Sequence, residues 1–86
     1  MLTVSFKASF LRQMNKLDED LQGEAIEKID LLKDIQNHQL LKVHKLHGPL
    51  TGTSSFSVNY KTRIVFQYVS KTEVALLSIG DHDIYN

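Results

Sequence analysis

The chain has 86 residues, with ten lysines and arginines, ten aspartates and glutamates, and no cysteine. This length predicts a single domain, residues 1–86, because a chain of this size can bury roughly 60% of its unfolded surface without covalent crosslinks. The balanced charge predicts no general affinity for polyanions, and the lack of cysteine excludes disulfides and thiolate metal ligands.

Neither a membrane span nor a signal peptide is visible. No apolar run approaches the ~20 residues that a transmembrane helix needs. The first residues lack the basic flank and long apolar run of a secretory signal. We therefore expect a cytoplasmic protein with no membrane partner.

The charges are unevenly distributed along the chain. Seven carboxylates precede residue 35: Asp18, Glu19, Asp20, Glu24, Glu27, Asp30 and Asp34. All four histidines follow it, together with Lys42, Lys45, Lys61 and Arg63. The second half is therefore locally basic.

The N-terminal half predicts a strand followed by two helices. Leu2, Val4 and Phe6 alternate with polar residues, which is the period of a half-buried strand. From Lys7 the apolar residues recur at helical spacing. Because carboxylates favour helix N-termini, the acidic run 18–20 is expected to begin a second helix, which ends near residues 37–38.

A β-hairpin is predicted over residues 55–68, after a loop marked by Gly48, Pro49 and Gly52. A three-residue turn over 59–61 places Phe56 opposite Ile64 and Ser57 opposite Arg63. A two-residue turn would instead set a serine in the apolar layer. The three-residue register puts Ser57, Arg63, Val65 and Gln67 on the sheet face turned away from the helices.

The last strand is predicted over residues 73–79 and is expected to be central, because it is almost entirely apolar, and to end at Gly80. The element order β-α-α-β-β-β predicts an α+β fold, in which a small antiparallel sheet carries a two-helix hairpin on one face.

Arg63 is a residue that the fold itself does not require. Its guanidinium stays charged among aliphatic neighbours, so it must reach water, a carboxylate or an anionic ligand. An ion pair with Glu73, Asp81 or Asp83 and the binding of a phosphate are both open at this point.

The histidines suggest acid–base chemistry. His82 lies between two aspartates, which can orient an imidazole and favour its charged form. His44 and His47 are three residues apart in the loop, but this spacing alone does not favour a zinc site, and we predict no metal and no cofactor.

Other side chains of the second half are suited to contact RNA. Phosphate contacts are predicted for Lys42, Lys45 and Lys61. Tyr60 and Tyr85 could stack on bases, whereas Tyr68 is expected in the core.

Several of these segments together resemble the RelE/ParE superfamily of bacterial toxin–antitoxin toxins. They are residues 44–48 (HKLHG), Gly52 with the strand 55–58 (SFSV), 63–66 (RIVF) and 76–85 (LLSIGDHDIY). The resemblance extends over essentially the whole chain and agrees with its element order. The RIVF strand and the C-terminal GDHDIY segment carry most of it.

The resemblance implies an mRNA endonuclease of the RelE/YoeB/YafQ-like branches that acts in the ribosomal A site and is silenced by an antitoxin protein, in a complex that could be a higher-order hetero-oligomer. It implies His44, Arg63 and His82 as catalytic residues. It is compatible with substrate contacts from Lys42, Lys45, His47, Ser57, Lys61 and Tyr85. In this metal-free reaction, one histidine acts as base and the other as acid, and the two roles could be exchanged.

Two departures from the family pattern leave rival functions open. The YafQ-like branch has a histidine and an aspartate where this chain has Ser57 and Lys61, and RNA-cleaving members are usually basic overall. The rivals are a ParE-like inhibitor of DNA gyrase and an inactive homologue that only binds an antitoxin. ParE-like members generally lack the His44 and His82 pair, which favours the nuclease.

Overall fold

The computed structural model describes residues 1–81. It contains the strand β1 (Thr3–Phe6), the helices α1 (Ala8–Asn15) and α2 (Glu19–Leu32), and four further strands. These are β2 (His44–Lys45), β3 (Ser54–Ser57), β4 (Thr62–Tyr68) and β5 (Glu73–Asp81). Short 3-10 helices lie at Ile35–Asn37 and Gly48–Leu50. In this part of the chain, no helix has the length and apolar character needed to cross a membrane.

The strands form one sheet in the order β1-β5-β4-β3-β2. The α+β fold is confirmed, as is the inner position of β5. The sheet is mixed, however, because β1 pairs with β5 in parallel while the other pairs are antiparallel. The α-helical hairpin returns the chain to the end of the sheet at which β1 stops, so β2 runs opposite to β1, and the three reversals from β2 to β5 then make β5 parallel to β1.

The core lies between the helices and one face of the sheet. Phe10, Leu32, Phe56, Ile64 and Phe66 are each at most 1% exposed and belong to one apolar cluster. Since Phe56 and Ile64 point toward the helices, their chain neighbours Ser57 and Arg63 point to the opposite face. We call this the open face.

The acidic run does begin α2, as the sequence predicts. The Asp18 carboxylate accepts a hydrogen bond of 2.8 Å from the backbone N–H of Leu21, so Asp18 caps the helix. The predicted end near residues 37–38 is wrong. The helix stops at Leu32, and Asp34 then accepts a bond of 3.0 Å from the N–H of Gln36 and caps a separate 3-10 turn.

The cap at Asp18 provides a test of this helix boundary. We expect Asp18→Ala to lower the free energy of unfolding by about 1 kcal/mol, because one N–H of the first turn loses its acceptor. Urea denaturation measures the change. Asp20→Ala, which removes a carboxylate from the same turn, is the control and should cost no more than about 0.5 kcal/mol. Equal losses would argue against the cap.

The strand β5 contains one extra residue. Val65 pairs with Ser78 and Phe66 with Leu76, so Leu77 has no partner on β4. Helix α1 satisfies the displaced backbone, since Ser9 Oγ donates to the carbonyl of Leu77 at 2.7 Å and the N–H of Ile79 donates to a side-chain oxygen of α1 at 2.9 Å. The bulge lets Leu76 and Ile79 both face the core, although they are three residues apart.

Two further expectations about β4 and β5 need correction. The last strand does not end at Gly80 but runs on to Asp81, with Gly80 paired to Arg63. Tyr68 is not a core residue: it is 46% exposed, although its ring contacts that of Phe66 at a centroid distance of 5.9 Å. Alternation brings Tyr68 to the core side, but it lies at the end of β4, beyond the cover of the helices.

Candidate functional site

Arg63 is positioned by the β3–β4 hairpin. The three-residue turn is confirmed, with Phe56 opposite Ile64 and Ser57 opposite Arg63. The Asn59 carboxamide oxygen accepts the backbone N–H groups of Lys61 and Thr62 at 2.9 and 2.8 Å, which fixes the turn. The half-buried Arg63 then donates from Nη1 to Ser57 Oγ at 2.7 Å.

No carboxylate within residues 1–81 forms an ion pair with Arg63. The ion pair that the structure shows within residues 1–81 joins Lys33 to Asp30, at 3.4 Å. Pairing of Arg63 with Glu73 or Asp81 is therefore not observed, and Asp83 lies outside the described residues. Within residues 1–81, the hydrogen bond of the guanidinium is the one to Ser57, so its other N–H donors are not taken up by this part of the chain.

His44 lies in the edge strand β2, where the sequence predicted only a loop. It pairs with Ser55 of β3, and its side chain is exposed. Its ring makes two contacts: Nδ1 lies 2.9 Å from the backbone oxygen of Lys42, and Nε2 lies 3.3 Å from Ser55 Oγ. The imidazole is thus held at both nitrogens while one side of the ring meets solvent.

The strand register brings His44 and Arg63 to the same face of the sheet. His44 is opposite Ser55, and Arg63 is opposite Ser57. Ser55 and Ser57 are two residues apart on β3 and so share a face, and cross-strand partners share it as well. His44 and Arg63 are two strands apart, at ~4.8 Å per strand, and two residues apart along the strand direction, at ~3.4 Å per residue. Their Cα atoms are therefore about 12 Å apart.

The surface between His44 and Arg63 is not uniformly open: Ser55 and Val65 are 0% and 3% exposed, whereas Gln67 is exposed. The residues predicted to share the open face therefore differ in exposure. Ser57 and Arg63 are half-buried, Gln67 is exposed and Val65 is buried.

Lys42 and Tyr60 line the same hollow as Arg63 and Ser57. It has a volume of about 620 Å³, lies where the β3–β4 turn approaches α2, and is also lined by Glu27 and Lys28 of that helix. Lys61 is exposed in the turn beside it. Of the predicted contacts, Ser57 bonds the guanidinium and Lys42 lines the same hollow, whereas Lys61 does not line it.

Lys45 and His47 belong to another surface. They line a second hollow of about 400 Å³ together with Gly52 and Tyr68, and this hollow shares no lining residue with the first. The alternation of β2 explains the separation, since Lys45 points to the face opposite that of His44. The structure therefore does not bring all predicted substrate contacts together.

His82 and Tyr85 lie outside the described residues. The described residues that precede them in the chain lie beside Arg63, because Gly80 is its cross-strand partner on β5. In the chain, His82 is two residues beyond this cross-strand partner of Arg63.

Sequence reasoning missed two parts of the site, the hydroxyl of Ser55 and the backbone of Lys42. Lys42 has φ +58°, a left-handed conformation that is uncommon for a residue with a side chain. No residue type in the loop signals it. Ser55 is one of several serines in an alternating strand, and only the pairing with β2 singles it out.

Metal ligands are not clustered in the described part of the chain. Residues 1–81 contain no group of three histidine, aspartate or glutamate side chains placed to hold a metal ion.

Solved structures of bacterial toxins have the same architecture. YafQ from Escherichia coli strain BL21(DE3) superposes with a TM-score of 0.79 at 10% identity, covering 98% of this chain and 97% of that one. The RelBE2 toxin–antitoxin complex from Mycobacterium tuberculosis gives a TM-score of 0.75 at 22% identity, covering 94% and 98% of the two chains. This chain has the RelE-like toxin fold.

A third structure with this RelE-like toxin fold, the YoeB–YefM complex from Staphylococcus aureus, has a TM-score of 0.73 at 19% identity and covers 95% of this chain and 98% of that one. No model of a protein family matches the sequence, and no curated protein does. At these identities the likeness establishes the fold, and the function has to be argued from the site.

Proposed function

We propose that this protein is the toxin of a toxin–antitoxin pair and a metal-free endoribonuclease that cleaves mRNA in the ribosomal A site, in the cytoplasm. The observation that supports the proposal is the environment of the Arg63 side chain. It is held by Ser57 on the open face, without a carboxylate partner in residues 1–81, and it shares that face with His44. A buried or half-buried arginine without a counter-ion is suited to bind a phosphate.

The chemistry follows from the residue types. His44 takes the proton of the ribose 2'-hydroxyl, and the 2'-oxygen attacks the adjacent phosphorus. Arg63 stabilises the negative charge that develops on the phosphorane oxygens. The bond to the 5'-oxygen then breaks, and His82 supplies its proton, leaving a 2',3'-cyclic phosphate and a free 5'-hydroxyl. The roles of His44 and His82 could be exchanged.

The remaining predicted contacts divide into two groups. Lys42 and Ser57 line the same hollow as Arg63, and Lys61 is exposed in the adjacent turn; all three are proposed to contact or orient the phosphate that is cleaved. Lys45 and His47, on the separate hollow, are proposed to contact a more distant part of the RNA or the ribosome. Tyr85 is proposed to stack on a base.

An antitoxin protein is the proposed partner that keeps the toxin silent. The RelBE2 and YoeB–YefM structures are of toxin–antitoxin complexes, and the latter pair also occurs as a heterotetramer. By this likeness we propose that the present chain forms a complex with an antitoxin and that the complex is a higher-order hetero-oligomer.

Primer extension on a translated reporter message tests the proposed activity. We expect induction without the antitoxin to stop growth and to produce new 5' ends inside the translated region, and His82→Ala to remove both effects. Intact messages in arrested cells would contradict the nuclease. Relaxed plasmid DNA together with intact messages would indicate a gyrase inhibitor instead.

A further inference from the structure

The exposed ring of His44 is held by two groups that no residue motif marks. One is the backbone oxygen of Lys42, 2.9 Å from Nδ1, and the other is the hydroxyl of Ser55, 3.3 Å from Nε2. A carbonyl oxygen can only accept, so the proton of the neutral ring lies on Nδ1. The lone pair is then on Nε2, and the Ser55 hydroxyl donates to it.

We propose that Lys42, through its left-handed backbone, and Ser55, through its hydroxyl, are positioning residues that make Nε2 of His44 the basic nitrogen of the site. This inference rests on the proposed function in one respect, the role of His44 in proton transfer. The tautomer itself follows from the geometry alone.

The backbone of Lys42 has an unfavourable conformation for a residue with a Cβ atom. Left-handed φ values in such residues persist where the surrounding structure demands them. Here the conformation closes a local turn, since the N–H groups of Lys42 and Val43 donate to the carbonyls of Gln39 and His38 at 3.1 and 3.0 Å. The preceding carbonyl, of Leu41, accepts the N–H of Ser57 at 2.9 Å, and the Lys42 carbonyl accepts the proton of His44 Nδ1. The turn at φ +58° allows the two successive carbonyls to reach these different donors.

Ser55 is suited to hold the ring without blocking it. Its side chain is fully buried, which restricts the position of the hydroxyl, whereas His44 itself is exposed. The 3.3 Å contact with Nε2 is longer than an optimal hydrogen bond. A ribose hydroxyl that approaches from solvent can therefore displace the serine as the donor to Nε2, and the ring does not have to turn.

The first test is an NMR measurement on the purified wild-type protein. Long-range ¹H–¹⁵N spectra, recorded at a pH where the ring is neutral, show which imidazole nitrogen carries the proton. We expect Nδ1–H to dominate for His44, with exposed His47 as the internal reference. A His44 ring with the proton on Nε2, or with the same mixture of tautomers as His47, would overturn the proposal. This result does not depend on nuclease activity.

The second test uses variants that separate the Lys42 backbone from its ammonium group. Lys42→Gly and Lys42→Asn tolerate positive φ, whereas Lys42→Val strongly disfavours it, and all three lack the charge. We expect Gly and Asn to keep the Nδ1–H tautomer. We expect Val to lose it and to cleave RNA with a kcat about tenfold below that of the Gly variant, as for a misplaced catalytic group.

Equal tautomers and equal kcat values in Lys42→Gly and Lys42→Val would contradict the role of the backbone. If the Val variant does not fold, the comparison of Gly and Asn with the wild type decides, because both must retain Nδ1–H. Ser55→Ala should keep the tautomer but lower kcat about tenfold with little change in KM, as expected for a group that orients the ring. An unchanged kcat would remove Ser55 from the proposal. A wild type with the expected tautomer but no cleavage would reject the nuclease and leave the geometry in place.

Discussion

Arg63→Ala is expected to lower the rate of RNA cleavage by about 100-fold or more, the range seen when one donor to a transition-state oxyanion is removed. The guanidinium points to the open face and is held by Ser57, so in the proposed reaction its loss would leave the phosphorane without its nearby cation. The side chain is half-buried and outside the apolar cluster, and the protein should therefore remain folded. Growth after induction and cleavage of a translated message in vitro measure the effect.

Two variants make this result specific to the position and shape of the charge. Arg12→Ala removes the other arginine of the chain, an exposed residue on α1, and should leave cleavage unchanged. Arg63→Lys keeps the charge but cannot donate to Ser57 and a phosphate in the same planar geometry, so it should restore only part of the rate. A folded and toxic Arg63→Ala protein would refute the assigned site.

Phe66→Ala is expected to destabilise the fold by about 3–5 kcal/mol, as do other large aromatic deletions in cores. Phe66 is fully buried at the centre of β4, and its ring contacts those of Phe56 and Tyr68 at centroid distances of 5.7 and 5.9 Å. Deleting it opens a cavity between the sheet and the helices. Urea denaturation gives the change in free energy, and a small domain could lose much of its folded population.

The matched control is Phe6→Ala, the same change at the end of β1. Phe6 is 47% exposed, and its ring contacts that of Phe10 at a centroid distance of 5.8 Å. Its loss should cost about 1 kcal/mol, because much less apolar surface returns to water. If both variants were equally destabilised, Phe66 would not be the centre of the core that the structure shows.

The β3–β4 hairpin was predictable from local sequence patterns. Side-chain alternation and the requirement that apolar residues share one face select a single register, and the structure has it. The partnership of Ser57 with Arg63 follows from that register. The start of α2 was also predictable, since the Asp18 cap and its helix are close in sequence.

The loop before the hairpin shows where local patterns fail. His44 was a candidate from its residue type, but its place on the open face depends on the pairing of two residues of β2 with β3. A two-residue strand is too short to have a period. The same limit explains why Lys45 and His47 were grouped with His44, although alternation sends Lys45 to the other face.

For this protein, the sequence alone determined the α+β class, the helical hairpin, the register of β3 on β4 and the residue types of the candidate site. These features depend on contacts between near neighbours in the chain. Only the tertiary structure decided the parallel pairing of β1 with β5, the bulge at Leu77 and the conformation of Lys42 that holds His44. The first two arise where segments distant in sequence satisfy one another's backbone groups, and no local pattern encodes such a partner. The third combines a local turn, closed by the Val43 N–H on His38, with the distant Ser57 N–H on the Leu41 carbonyl.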